Sequence, residues 1–301
     1  MSAYIKENID EFLERGIPSS MYKIIYSGLV SDLDRFSKYS LREEIFIELI
    51  RNISEHHIEK SFGLEVNYND LINLLRHVGL ADSLPYKSKD YSLVLRAHLD
   101  YLNGIKAVIE VKPLKFTKKT LPIKSGKPLA KLVFTDPGMA IAVYAFLHDI
   151  PDPYKFARSM LKEHGFPNLV EATALAHLAR IHMLLGSLEG EEEPVGYIVK
   201  HREERRDGEV KYVKQSEIDG VTWFYSHKDK AHVYVPMEVK YTGDKDYPTE
   251  KYVEAMKRAS IIYPRTRLII TAAFGLREIY SSEFKGLKYI VLPLPLFLAL
   301  F

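Results

Sequence analysis

The tripeptide Glu238-Val239-Lys240 stands near the end of an apolar run, and Glu110-Val111-Lys112 repeats it earlier in the chain. In a strand, residues i and i+2 project from one face, so each copy would set a carboxylate beside an ammonium. What precedes them differs. Upstream of Glu238 an extended run carries Glu217-Ile218-Asp219, two acids on one face, and the turn at His227–Lys230 folds the two runs into a hairpin. Two carboxylates and a lysine then converge at one end of a sheet. That set suits phosphodiester hydrolysis. Hard oxygen ligands hold Mg²⁺, the ion stabilises charge on the phosphate and lowers the pKa of a bound water, and a neighbouring lysine orients or activates that water. Upstream of Glu110 the nearest acid, Asp100, falls in a helical pattern, and Pro113 ends the run at once. The first copy therefore reads as a wing or linker strand without convergent groups. The bland alternative for the second copy is a surface cross-strand pair, worth about 0.2–1 kcal/mol.

The elements that must position these residues follow from periodicity. Residues 4–15, 22–36, 40–60, 68–80 and 91–104 read as helices, with Gly16, Gly79 and Gly104 as stops. Helix, turn, helix and then extended segments is the order of a winged helix-turn-helix, in which 91–102 is the recognition helix and Arg96 and His98 its polar contacts. A plain helical bundle fits the same pattern. From Lys112 to Lys131 there are seven lysines and no acid, with prolines at 113, 122 and 128. In a winged helix this is the wing, and Lys115, Lys118, Lys119, Lys124 and Lys127 would grip phosphates; a solvated loop is the other reading. A strand from 131, a turn at Asp136-Pro137-Gly138 and an apolar helix come next, then a connecting region over 148–166. From 167 the order is a long helix to Gly186, four extended runs, a helix over 248–263 and two all-apolar strands of the kind buried on both faces. The fold class expected is α/β of the α+β kind.

Composition limits the function classes. No cysteine is present, which excludes disulfides, thiolate metal sites and a cysteine nucleophile. A net charge of +2 names no partner by itself. Gln occurs only at Gln215, a usage resembling that of thermophiles. The first sixteen residues carry four acids and no apolar core, unlike a signal peptide. The apolar C-terminus is too short to span a bilayer, which takes about 20 residues, and reads as a buried strand and a docked end. The expected location is cytoplasmic. His177 and His182, five apart on one helix, space poorly for a shared metal and read as packing or surface residues.

Glu217-Ile218-Asp219 followed one hairpin later by Met237-Glu238-Val239-Lys240 resembles the D…E-x-K signature of restriction-endonuclease-like PD-(D/E)XK nucleases, and the order of elements from 167 resembles that fold. The leading proline is absent, since Ser216 and Ile218 flank the acids. The resemblance implies Asp219 and Glu238 as ligands of Mg²⁺ or Mn²⁺, with help from the Val239 carbonyl, and Lys240 at the attacking water. It also implies a glutamate from the preceding core helix, for which Glu171 is the match. A wider likeness, through FLERGIPSS, LVFTDPGMAIAVYAFL and LVEATALAHLAR, is to the C-terminal part of prokaryotic AAA-type ATPases, where a winged helix precedes a nuclease-like domain. No phosphate loop is present: Ser125-Gly126-Lys127 is followed by proline and lacks the first glycine.

The division expected is a helical lead-in over 1–38, a winged-helix-like domain over 39–147 with its basic loop at 112–131, and a restriction-endonuclease-like domain over 148–301. Three functions remain open: a metal-dependent DNA nuclease, a non-catalytic winged-helix DNA binder, and a docking partner for a separate ATPase subunit.

Overall fold

The structure, a computed structural model, describes residues 19–31, 43–59, 63–77, 89–115, 123–124, 129–163, 166–186, 195–206, 209–228, 230–241, 268–274, 279–284 and 287–299. Its elements are α1 (Ser19–Ser31), α2 (Glu43–Ile58), β1 (Glu65–Asn67), α3 (Tyr68–His77), α4 (Lys89–Gly104), β2 (Val108–Lys115), β3 (Ile123–Lys124) and β4 (Leu129–Phe134). These are followed by α5 (Pro137–Leu147), α6 (Pro153–Glu163), α7 (Pro167–Gly186), β5 (Gly196–Arg206), β6 (Glu209–Ser226) and β7 (Ala231–Tyr241). The last are β8 (Leu268–Phe274), β9 (Tyr280–Phe284), β10 (Leu287–Pro293) and α8 (Leu294–Ala299). Helices and a mixed sheet with flanking helices make this an α+β protein. The helices expected over 4–15 and 248–263 lie outside the described residues.

The chain forms two compact units. One comprises 1–110 with 132–169, the other 111–131 with 170–301. The sequence-based division at 147/148 differs from all three junctions, because segment 111–131 belongs with the later strands.

In the first unit, α2 buries Ile45, Phe46, Leu49, Ile50 and Ile53, the stripe its 3.6-residue periodicity dictates. Leu95, Leu99 and Leu102 do the same for α4. His98 shares that stripe and is buried, with Nδ1 against the Val94 carbonyl at 2.8 Å. It is a core residue, not the polar contact expected of a recognition helix, because its spacing from Leu95 and Leu102 puts it on the inward face. Gly104 is the last residue of α4, as expected. The left-handed residue lies two further on: Lys106 takes φ 58°, while Ala107 N–H donates to the Leu102 carbonyl (2.9 Å) and Lys106 N–H to that of Asn103 (3.1 Å). This is a Schellman cap.

Asp136-Pro137-Gly138 is a helix start. Asp136 caps α5 by accepting from Gly138 N–H at 2.7 Å, and Pro137, having no N–H to satisfy, sits at the first helical position. The same logic corrects the connecting region over 148–166. Pro153 opens α6, and Asp152 Oδ1 accepts from Lys155 N–H at 2.9 Å. Prolines that read as loop signals are first-turn residues.

In the second unit β2 runs parallel to β5, which pairs antiparallel with β6, and β6 pairs antiparallel with β7. Strand β8 is parallel to both β7 and β10, and β9 runs antiparallel beside β10. The runs EVKYVKQ and EIDGVTWFYS are one 18-residue strand, β6, not two. Helix α7 is buried on every side from Ala174 to Ala179, as suits a helix apolar around most of its girth. Gly220 of β6 lets it approach: a Cβ there would lie 2.8 Å from Leu175 Cδ2 and 3.2 Å from Leu178 Cδ2.

Candidate metal centre

Strand β6 bulges where the acids lie. Gly196 of β5 pairs with Val221 and Ile198 with Ile218, so two steps on β5 match three on β6. A bulge re-aims side chains and breaks local alternation. Here the extra residue falls at Asp219-Gly220. Pairing of β6 with β7 runs from Ser226↔Ala231 to Gly220↔Met237. The next link is made by a side chain: Val239 N–H donates to Asp219 Oδ2 at 2.7 Å.

Oxygens of Glu171, Glu217 and Asp219 lie within 4.8 Å of one another. Glu171 comes from the second turn of α7, the other two from β6. At their centre is Lys131 of β4. Its Nζ is 2.6 Å from Glu171 Oε1, 2.7 Å from Glu217 Oε1 and 3.3 Å from the Asp219 carbonyl oxygen, and it stands 4.7 Å from the centroid of the Tyr197 ring. Lys131 is only 1% exposed. Its neighbours Ala130, Leu132, Val133 and Phe134 are buried as well, so the strand gives the long stem no route to water.

The electrostatics follow from this crowding. Burial opposes the Lys131 charge, but Glu171, Glu217 and Asp219 outweigh it and hold the ammonium well above its ordinary pKa. For Glu171, burial pushes the carboxyl up to about 7 despite Lys131, with Asp219 and Glu217 adding to the rise. With all three acids ionised, one ammonium leaves two negative charges in the cluster, the charge that one divalent ion carries.

The residues singled out from sequence fall into groups. Asp219 and Glu171 meet, joined by Glu217, which sequence reasoning saw as an acid on the right face but did not name as a ligand. Glu238 is outside this three-acid group and pairs instead with Lys240, its neighbour on β7. Val239 reaches Asp219 through its N–H rather than its carbonyl. By sequence alone Lys131 falls with the basic loop. The available signal was its place inside the apolar run Leu129–Phe134, where a lysine must bring acids with it.

Glu110, of the first tripeptide, is held in the first unit by Tyr68 and by Arg96 Nη1 at 2.9 Å. Arg96 also binds Asp100 at 2.8 Å, so its guanidinium spans two carboxylates of its own chain. Lys115 and Lys124 lie on an antiparallel pair, β2 with β3, where Leu114↔Lys124 and Lys115↔Ile123 are opposite. Lys118, Lys119 and Lys127 lie outside the described residues. His182 is buried, with Nδ1 2.8 Å from Thr222 Oγ1, and His177 packs edge-on to Phe297. Both are packing residues.

A second group, Glu55, Glu59 and His148 of the first unit, also brings three potential ligand atoms within 4.8 Å. It is accounted for as a surface network: His148 Nε2 is 3.3 Å from Glu55, Tyr144 hydroxyl donates to Glu59, and Tyr144 stacks on His148. Among the described residues no helix is long and apolar enough to cross a membrane. No protein-family model matches the chain, and no curated protein matches it.

Proposed function

We propose that the protein is a divalent-metal-dependent phosphodiesterase acting on DNA. The observation that carries this reading is the gathering of Glu171, Glu217 and Asp219 within 4.8 Å at a bulged strand. Their donors are all hard oxygens, as Mg²⁺ or Mn²⁺ requires, and the surplus of negative charge suits one such ion. The three acids would hold it. Bound there, the ion would supply charge stabilisation at the phosphate and an acidified water. Asp219 is kept in place by the Val239 N–H, and its other oxygen would serve as the ligand. Lys240, with its ammonium positioned by Glu238, is the group assigned to orienting the attacking water. The lysines of 112–127 would supply phosphate contacts.

The test is cleavage of supercoiled, linear and branched DNA across a Mg²⁺ and Mn²⁺ titration. Wild type is expected to cleave. Asp219→Asn and Lys240→Ala are expected to lose cleavage and keep DNA binding. Cleavage unchanged in both variants removes the assignment.

A non-catalytic reading, as a DNA-binding module or the docking partner of an ATPase subunit, is favoured by one observation: Lys131 already compensates part of the cluster's charge without a metal. It expects no metal binding, and a DNA affinity that falls by about one log-log unit in salt per phosphate contact.

A further inference from the structure

We propose that Lys131 is an internal cation that competes with a divalent ion for the Glu171–Glu217–Asp219 cluster and keeps that cluster assembled in the metal-free protein. The proposal deepens the metal-dependent reading above and rests on it for the identity of the competing ion.

Three observations carry it. The ammonium is at the centre of the acids rather than at their rim, engaging Oε1 of both glutamates at 2.6 and 2.7 Å. Its stem is fixed in a buried strand, and the Tyr197 ring lies against its head. It is therefore a built part of the site and not a surface side chain that happened to fold over. Finally, the space does not suit both cations. Mg²⁺ takes oxygens at about 2.0–2.1 Å, closer than the ammonium does, and an ion drawing on the same acids would stand within a few ångströms of a second positive charge. Repulsion at that range is large when water is excluded.

Without a cation, three acids within 4.8 Å would repel one another, and the Asp219 carbonyl at the bulge would lose the ammonium that donates to it. Lys131 supplies that cation. It draws α7, β4 and β6 together through Glu171, its own strand and Glu217. The site would then be prearranged before metal arrives, and the metal's affinity would be lowered by the work of displacing or crowding the ammonium.

The experiment compares Mn²⁺ binding by calorimetry in full-length wild type, Lys131→Met and Lys131→Gln, with Asp219→Asn as the control for the site. The neutral variants are expected to bind Mn²⁺ at least ~10-fold more tightly than wild type. Their melting temperature is expected to fall in EDTA and recover with Mn²⁺, while that of wild type changes little. Glutamine keeps a donor for Glu171, which guards against failure to fold in the methionine variant. Equal or weaker binding in the neutral variants overturns the proposal. If wild type binds Mn²⁺ and loss of Lys131 does not strengthen it, competition falls and the metal-dependent reading stands. If only the neutral variants bind, competition stands and the metal-dependent reading of the natural chain falls. Binding in none of them overturns both. Should neither variant fold, ¹⁵N-lysine spectra of wild type decide: Mg²⁺ is expected to move the signal of the buried ammonium, and a signal unmoved by high Mg²⁺ overturns the proposal.

Discussion

Lys131 and His57 are both fully buried ionisable groups, and their surroundings treat charge in opposite ways. Lys131 is kept charged by acids, whereas His57 is kept neutral by burial. Its Nδ1–H donates to the Ile53 carbonyl at 2.7 Å, and its Nε2 accepts from Phe134 N–H at 3.3 Å. A proton on Nε2 would face another donor, and burial lowers the pKa from 6.5 to about 4. A depressed histidine contributes stability that is complete above pH 6.5 and lost as pH falls toward 4. The loss should reach about 3 kcal/mol below that window. Urea unfolding of wild type at pH 7, 5 and 4 should show this fall, and His57→Gln should show a smaller one between pH 6.5 and 4. An equal fall in both would assign acid sensitivity to other groups. Neither role was legible beforehand. The sequence shows His57 as one of two adjacent histidines at a helix end and Lys131 as one of seven lysines, because burial is decided by partners dozens of residues away. Asp219 was legible, since Glu217-Ile218-Asp219 before a hairpin is a local pattern.

At the scale of elements, periodicity found α1 to α5 and α7 among the described helices but not α6 or α8, and proline signals hid some helix starts. Glycine signals stops, and α4 does end at Gly104, yet the left-handed residue of its cap is Lys106. A lysine there carries a Cβ penalty that glycine avoids. Lys106→Gly should therefore stabilise the protein by up to about 1 kcal/mol, measured as a raised urea midpoint at unchanged slope. A lower midpoint would mean that the lysine side chain contributes more than the backbone strain costs. The two misread proline segments share one cause. Pro137 and Pro153 each follow an aspartate, and Asp-Pro serves a turn or a helix start equally well until the cap hydrogen bond is seen. The bulge in β6 was invisible for a different reason. Register belongs to a pair of strands, and one strand's sequence does not state its partner's count.

For the whole molecule, the chain crosses between its units at 110/111, 131/132 and 169/170. The expected boundary at 147/148 coincides with none of these crossings, because a strand inserted from an earlier segment leaves no mark in the segment that receives it. Residues 148–301 expressed alone would lack β2 and β4, and with them the cation beside Glu171 and Glu217. Such a fragment should show no cooperative thermal transition by circular dichroism. A sharp transition like that of the full chain would show that the inserted strands are dispensable. The insertion also orders events during synthesis. Lys131 leaves the ribosome 88 residues ahead of Asp219, so its ammonium must stay hydrated while the nascent chain lengthens. The second unit cannot close around it until the acids have been translated, and a pause or truncation before residue 219 would leave a strand with a charge it cannot bury.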